Sequence, residues 1–313
     1  MSQRHQEAWL LRLALPDWSA APEWPPLSAA EFAQLGEMAR RHGVLPAVVM
    51  NAARWTRHDL TAARKLLVSL TGFSMMLRLR LPPVLQALRE QGVQAVVLRG
   101  PEFADRLYPR PELRLFTDLD ILVPRTALPS VGDAMSRLGY RLQNLPHLKH
   151  HAPYGEQLWK HPDHGQEQVE IHWNLVNSPA LQRGVSVEIH DLQFDRDGKL
   201  TPASLLLIAA VHGATSHGFD RLQILCDIRQ IARQTVDEDY LVDVGRRTGS
   251  AVAVATGLRL AEETFQDEPC RRLRRRVGGE KWCGLLTPRV VLRSDRPIPK
   301  LRRQLFRQLL KRR

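Results

Sequence analysis

The segment Phe116-Thr117-Asp118-Leu119-Asp120-Ile121-Leu122-Val123 places two carboxylates one residue apart at the start of an apolar run. In a β-strand residues i and i+2 share a face, so both acids would project from one side of an otherwise buried strand. Like charges held together out of water repel each other and resist desolvation. The strand therefore needs a positive partner, and a divalent cation shared with a phosphate is the obvious candidate.

The texture around this segment is mixed. Residues 28–90 read as helices: Ser28-Ala29-Ala30-Glu31 is a capping-box signature, Leu45–Ala53 and Asp59–Leu79 are periodic, and Pro82-Pro83 reads as the start of a further helix ending at Gly92. A short strand at Ala95–Leu98 then runs into the turn Arg99-Gly100, and a helix is expected over Glu102–Leu107. Asp118–Val123 is the second strand and Ala127–Leu138 a helix. Glu156–Lys160 and Gln168–Trp173 read as a hairpin around His161-Pro162-Asp163-His164-Gly165. A short strand over Ser186–Phe194 precedes helices at Ala203–His212, Leu222–Arg233, Asp239–Arg247 and Ala251–Phe265. The expected fold is α+β, a small mixed sheet flanked by N-terminal and C-terminal helical regions. The expected division is 1–92 helical, 93–200 the α/β core, 201–270 helical and 271–313 a basic tail.

Charge follows this division. The chain of 313 residues carries +12, yet residues 271–313 alone hold 16 Lys/Arg and 2 Asp/Glu. Basicity therefore belongs to the tail, where Leu301, Leu305, Phe306, Leu309 and Leu310 recur at helical spacing among Arg and Lys. Such a segment suits RNA, DNA, an anionic membrane surface or an acidic partner, or simply packs on the body by its leucines. No apolar run is long enough to span a membrane. The Ala8–Leu15 stretch is short and contains Arg12, which argues against a signal peptide. Cys226, Cys270 and Cys283 lack paired spacing, which suggests a reduced, cytoplasmic setting.

A third acid completes the chemistry. Val169-Glu170-Ile171-His172-Trp173 alternates, so Glu170 and His172 share one face. If this strand lies beside Asp118–Val123, Glu170 joins Asp118 and Asp120 as metal ligand or base. Three carboxylates on adjacent strands can hold hard cations and support phosphoryl or nucleotidyl transfer. His147, His150, His151, His161, His164 and His172 match no compact zinc motif, and a loop beside an anionic substrate is the expected setting. No G-x-S-x-G, Walker A or G-x-G-x-x-G pattern occurs.

The ordered series Leu98-Arg99-Gly100-Pro101-Glu102-Phe103-Ala104, Leu107-Tyr108-Pro109, Leu113-Arg114, Thr117-Asp118-Leu119-Asp120, Leu138-Gly139-Tyr140, Glu170-Ile171-His172-Trp173, Leu206-Leu207-Ile208, His212-Gly213 and Leu225-Cys226-Asp227-Ile228 resembles the largely uncharacterised bacterial nucleotidyltransferase family of the polymerase-beta superfamily. The resemblance implies a nucleotidyltransferase sheet core and transfer of an NMP group from a Mg²⁺- or Mn²⁺-bound NTP to an acceptor hydroxyl. The acceptor would be a small molecule, a protein or RNA. It also implies metal-binding roles for Asp118, Asp120 and Glu170. One departure stands out. The superfamily usually carries Gly-Ser on the turn after the first strand, whereas Gly100-Pro101 offers neither hydroxyl nor N–H at the second position. Phosphate binding would then fall to Arg99, Gly100 and Arg114. The alternative is a decayed nucleotide- or nucleic-acid-binding protein, or a basic-tailed adaptor.

Overall fold

The computed structural model describes residues 3–16, 27–53, 61–143, 154–278 and 284–311. Cys283, His147, His150 and His151 lie outside them. Four helices come first: α1 (Gln3–Leu13), α2 (Ala29–Arg41), α3 (Leu45–Ala52) and α4 (Thr61–Glu90). The expected capping box opens α2, with the Ser28 N–H donating to Glu31 Oε2 at 2.9 Å and the Glu31 N–H to Ser28 Oγ at 3.4 Å.

Helix α4 departs from expectation. Pro82 and Pro83 lie inside it rather than at a new start. An interior proline removes a backbone donor and costs roughly 3 kcal/mol. Leu77, Val84 and Leu88, on both sides of the pair, are fully buried in one cluster. Burial on both sides thus holds the helix together across its weak point.

The sheet contains β1 (Val96–Val97), β2 (Leu119–Leu122), β3 (Arg141–Leu142), β4 (Glu156–Lys160) and β5 (Val169–His172), in the order β1-β2-β5-β4-β3. Strands β2 and β5 run parallel, and the other pairs are antiparallel. Helix α5 (Gly100–Leu107) leaves β1, and α6 (Leu128–Arg137) follows β2. Strand parity sorts the side chains. Leu119, Ile121, Val169 and Ile171 enter a core with α4 and α6 residues such as Leu77, Val131 and Met135. Asp120, Glu170 and His172 stand on the opposite face.

The expected strand over Ser186–Phe194 does not form. A 3₁₀ turn occupies Ile189–Asp191, held by reciprocal Glu188–Asp191 capping, and Phe194 makes an isolated bridge to Leu200. The helices α7 (Pro179–Gln182), α8 (Pro202–His212), α9 (Leu222–Ala232), α10 (Glu238–Thr248), α11 (Ala251–Phe265), α12 (Glu268–Val277), α13 (Pro288–Leu292) and α14 (Pro297–Leu309) complete the chain. The larger core joins residues of α8, α9 and α11 to Leu10 and Leu13 of α1 and to Phe306 and Leu310 at the tail. Helix α14 does pack on the body, but through Phe306, Leu310 and Pro299. Leu301 and Leu305 stay exposed. No described helix is long and apolar enough to cross a membrane.

Candidate active site

Strand pairing places Asp120 directly opposite Glu170 and Leu122 opposite His172 on the two central parallel strands. Ligand atoms of Asp120, Glu170 and His172 all lie within 4.8 Å of one another. His172 Nε2 is 3.0 Å from Asp120 Oδ1, and its Nδ1 lies 3.3 Å from Asn177 Oδ1 and 3.5 Å from Glu156 Oε2. Asp118 precedes β2 by one residue and lines the same cleft, but it is not among the three convergent ligand groups. The cleft encloses about 530 Å³ between this sheet face, the Gly100 turn and the end of α8.

Arg99 is the main positive charge against the acids. Its Nη2 lies 2.7 Å from Asp120 Oδ1, with Asp120 only 3% exposed. Burial works against an ionised Asp120, but Arg99 and the His172 hydrogen bond outweigh it and hold its carboxyl far below the usual range. Burial and the like charge of Asp120 push Asp118 up to about 6. The same two causes push Glu170 up to about 8. Burial disfavours the His172 cation, yet the bond to Asp120 and the surrounding carboxylates raise its pKa overall. The raised pKa values of Asp118 and Glu170 show that crowding the acids together disfavours their charged forms, which a bound cation would relieve. Oxygen-rich ligands with one imidazole suit Mg²⁺ or Mn²⁺, so the residues present fit a divalent ion.

Gly100 adopts φ +40°, a conformation that glycine reaches without the strain of a side chain, and Pro101 follows in the first helical turn. Arg114 lines the cleft as well, with its guanidinium engaged by protein acceptors. Its Nε and Nη2 donate to the two oxygens of Asp227, each at 2.9 Å, and its Nη1 donates to the Gly100 carbonyl at 3.4 Å. The Tyr108 hydroxyl donates to Asp227 as well, at 2.7 Å. Arg114 therefore ties the turn to α9, with both charges out of solvent.

The helical wall contributes two histidines. His212 ends α8, a π-helical turn covers Gly213–His217, and both histidines line the cleft. Their rings meet edge to face at 4.7 Å. Burial, then the neighbouring Arg99, depresses the His212 pKa well below the ordinary histidine value. Single-turn π segments often occur where a helix presents a functional side chain. Glu156 was missed, because no local pattern marks a residue that only cross-strand register brings opposite His172. By contrast, His161 and His164 stack at 3.6 Å beside Tyr140 in the hairpin and do not line the cleft.

Residues 28–266 match the family model described as an uncharacterised nucleotidyltransferase. The chain belongs to that nucleotidyltransferase family. The match spans every residue that lines the cleft, from Arg40 to Asp227. No curated protein and no solved structure matches the nucleotidyltransferase chain.

Proposed function

We propose that this protein moves an NMP group from an NTP to an acceptor hydroxyl, forming the acceptor O–Pα bond and breaking the Pα–O bond to pyrophosphate. The observation that carries the reading is Asp120 and Glu170 paired in register on adjacent strands, with His172 beside them and Arg99 against them. Asp118, Asp120, Glu170 and His172 would hold Mg²⁺ or Mn²⁺. Such an ion supplies charge that neutralises the phosphates and acidifies the acceptor hydroxyl.

The chain's own groups do the rest. Arg99 can fork onto phosphate oxygens beside the Gly100 turn, where Pro101 offers no N–H. Arg114 positions that turn through the Gly100 carbonyl. Where the other side chains hold the ion, Glu170, whose pKa is raised to about 8, is instead suited to accept the acceptor's proton. His212, held neutral by burial, and His217 border the cleft, with Arg40 and Arg221 also in its lining.

A second reading, nucleotide binding without transfer, is favoured by one contact: Arg99 sits on Asp120, where a cation would have to compete. One experiment decides between the two. Each α-labelled NTP is incubated with Mg²⁺, the protein and fractionated small molecules, proteins and RNA, and pyrophosphate and labelled acceptor are measured. Wild type should release pyrophosphate. Asp120→Asn should be slower by on the order of 10³-fold, since charge stabilisation of several kcal/mol is lost. Equal rates for the two proteins would leave only the binding reading.

A further inference from the structure

Helix α14 has two apolar faces, and the body uses only one. Phe306, Leu310 and Pro299 are buried, and the Phe306 ring lies 6.2 Å from that of Phe219. The approach is close: a Cβ on Gly184 would stand 1.9 Å from the Leu310 carbonyl oxygen. Arg303 fastens the same face, donating to the His217 carbonyl at 2.9 Å and pairing with Asp220 at 3.0 Å. The opposite face presents Ile298, Leu301 and Leu305, which are 71%, 55% and 46% exposed. These residues are spaced i, i+3 and i+7 and form one stripe along the helix.

The charge around this stripe has one sign. Helical geometry puts Arg302 along one border and Gln304 and Lys300 along the other, with exposed Arg296 at the start. The acid nearest in sequence, Asp295, is paired with Arg41 at 2.9 Å. Residues 271–313 hold 16 Lys/Arg against 2 Asp/Glu. We infer that the outer face of α14 docks on an anionic phospholipid surface, with Ile298, Leu301 and Leu305 entering the acyl boundary and the basic residues meeting lipid phosphates. A nucleic acid would satisfy the charge but would leave three large aliphatic side chains in water. A bilayer with acidic headgroups satisfies both. Because Arg303 joins α14 to the His217 carbonyl in the cleft wall, docking would also hold the site at a fixed place relative to the membrane surface.

The test is flotation of the full-length protein with phosphatidylcholine vesicles, with and without phosphatidylglycerol, at low and high salt. Leu301→Gln/Leu305→Gln is the matched variant, and its unchanged circular dichroism and melting temperature would show an intact fold. Wild type should float with the acidic vesicles, weaken but persist at high salt, and stay in solution with neutral ones. The variant should partition at least about tenfold less, since each leucine otherwise leaves water. Equal flotation of variant and wild type would overturn the inference, as would no vesicle binding. Tight, leucine-independent binding to poly-U without vesicle binding would assign the tail to RNA instead. A dimer dissolved by the variant, again without vesicle binding, would assign the stripe to self-association.

Discussion

Removing the guanidinium of Arg114 should be among the most damaging single changes outside the acid cluster. Arg114 and Asp227 are buried and share two hydrogen bonds of 2.9 Å. In Arg114→Met, Asp227 keeps only the Tyr108 hydroxyl as a partner among these contacts. An unpaired charge in such a place costs about 3–5 kcal/mol. In Asp227→Leu the positive charge is stranded instead, with the Gly100 carbonyl 3.4 Å away as its remaining acceptor, and the expected loss is of the same size, about 3–5 kcal/mol. The double variant removes both charges and leaves chiefly the Tyr108 hydroxyl unsatisfied, for about 1–3 kcal/mol. Urea unfolding followed by tryptophan fluorescence gives all three values. The double variant should be more stable than either single. If the two single losses simply add, or if each is below about 1 kcal/mol, then the pair is not the buried counter-ion system described above.

Two further outcomes follow from the charges. His42 is buried, donates from Nε2 to the Leu292 carbonyl at 3.3 Å, and has its pKa lowered to about 4, chiefly by burial. Its unfolded form takes up protons first, so this contribution is complete above about pH 6.5 and is lost as pH falls through 4, about 3 kcal/mol in all. His42→Phe should flatten that part of a stability-versus-pH curve, and an unchanged slope would count against it. At the candidate site, His172 and Glu170 both have raised pKa values and must shed protons to bind a cation. Calorimetric titration with Mn²⁺ should therefore show proton release and tighter binding as pH rises from 6 to 8. His172→Gln should weaken binding by about 10- to 100-fold. Binding that does not change with pH and is unaffected by His172→Gln would place the ion elsewhere.

The local parts of this architecture are readable from sequence because their causes are local. Alternation in Val169–His172 sets Glu170 and His172 on one face, and the Ser28–Glu31 box marks the start of α2 within a residue. Nothing local assigns partners. Arg114 shows no sign in sequence of its partner Asp227, 113 positions away. The closeness of His172 to Asp120 depends on β5 lying parallel to β2. The Pro82-Pro83 pair reads as a boundary because backbone propensity favours one, and buried Leu77 and Leu88 outweigh it. Ser186–Phe194 has strand-like composition, but Glu188 and Asp191 cap each other and fold the segment into a turn.

The joining of α1 and the α13–α14 region has a consequence for how the protein is made. Leu10 and Leu13 share a core with Leu292 and Phe306, and Arg293 donates to Glu7 at 2.8 Å across 286 positions. On the ribosome, α1 emerges long before any of these partners exist. Until they do, α1 can pack only on nearer neighbours such as α2 and α3, which it also touches in the finished fold. Completion of this core is thus a late event with a high loop-closure cost, and a stop in translation before α13 would leave α1 without its α13–α14 contacts.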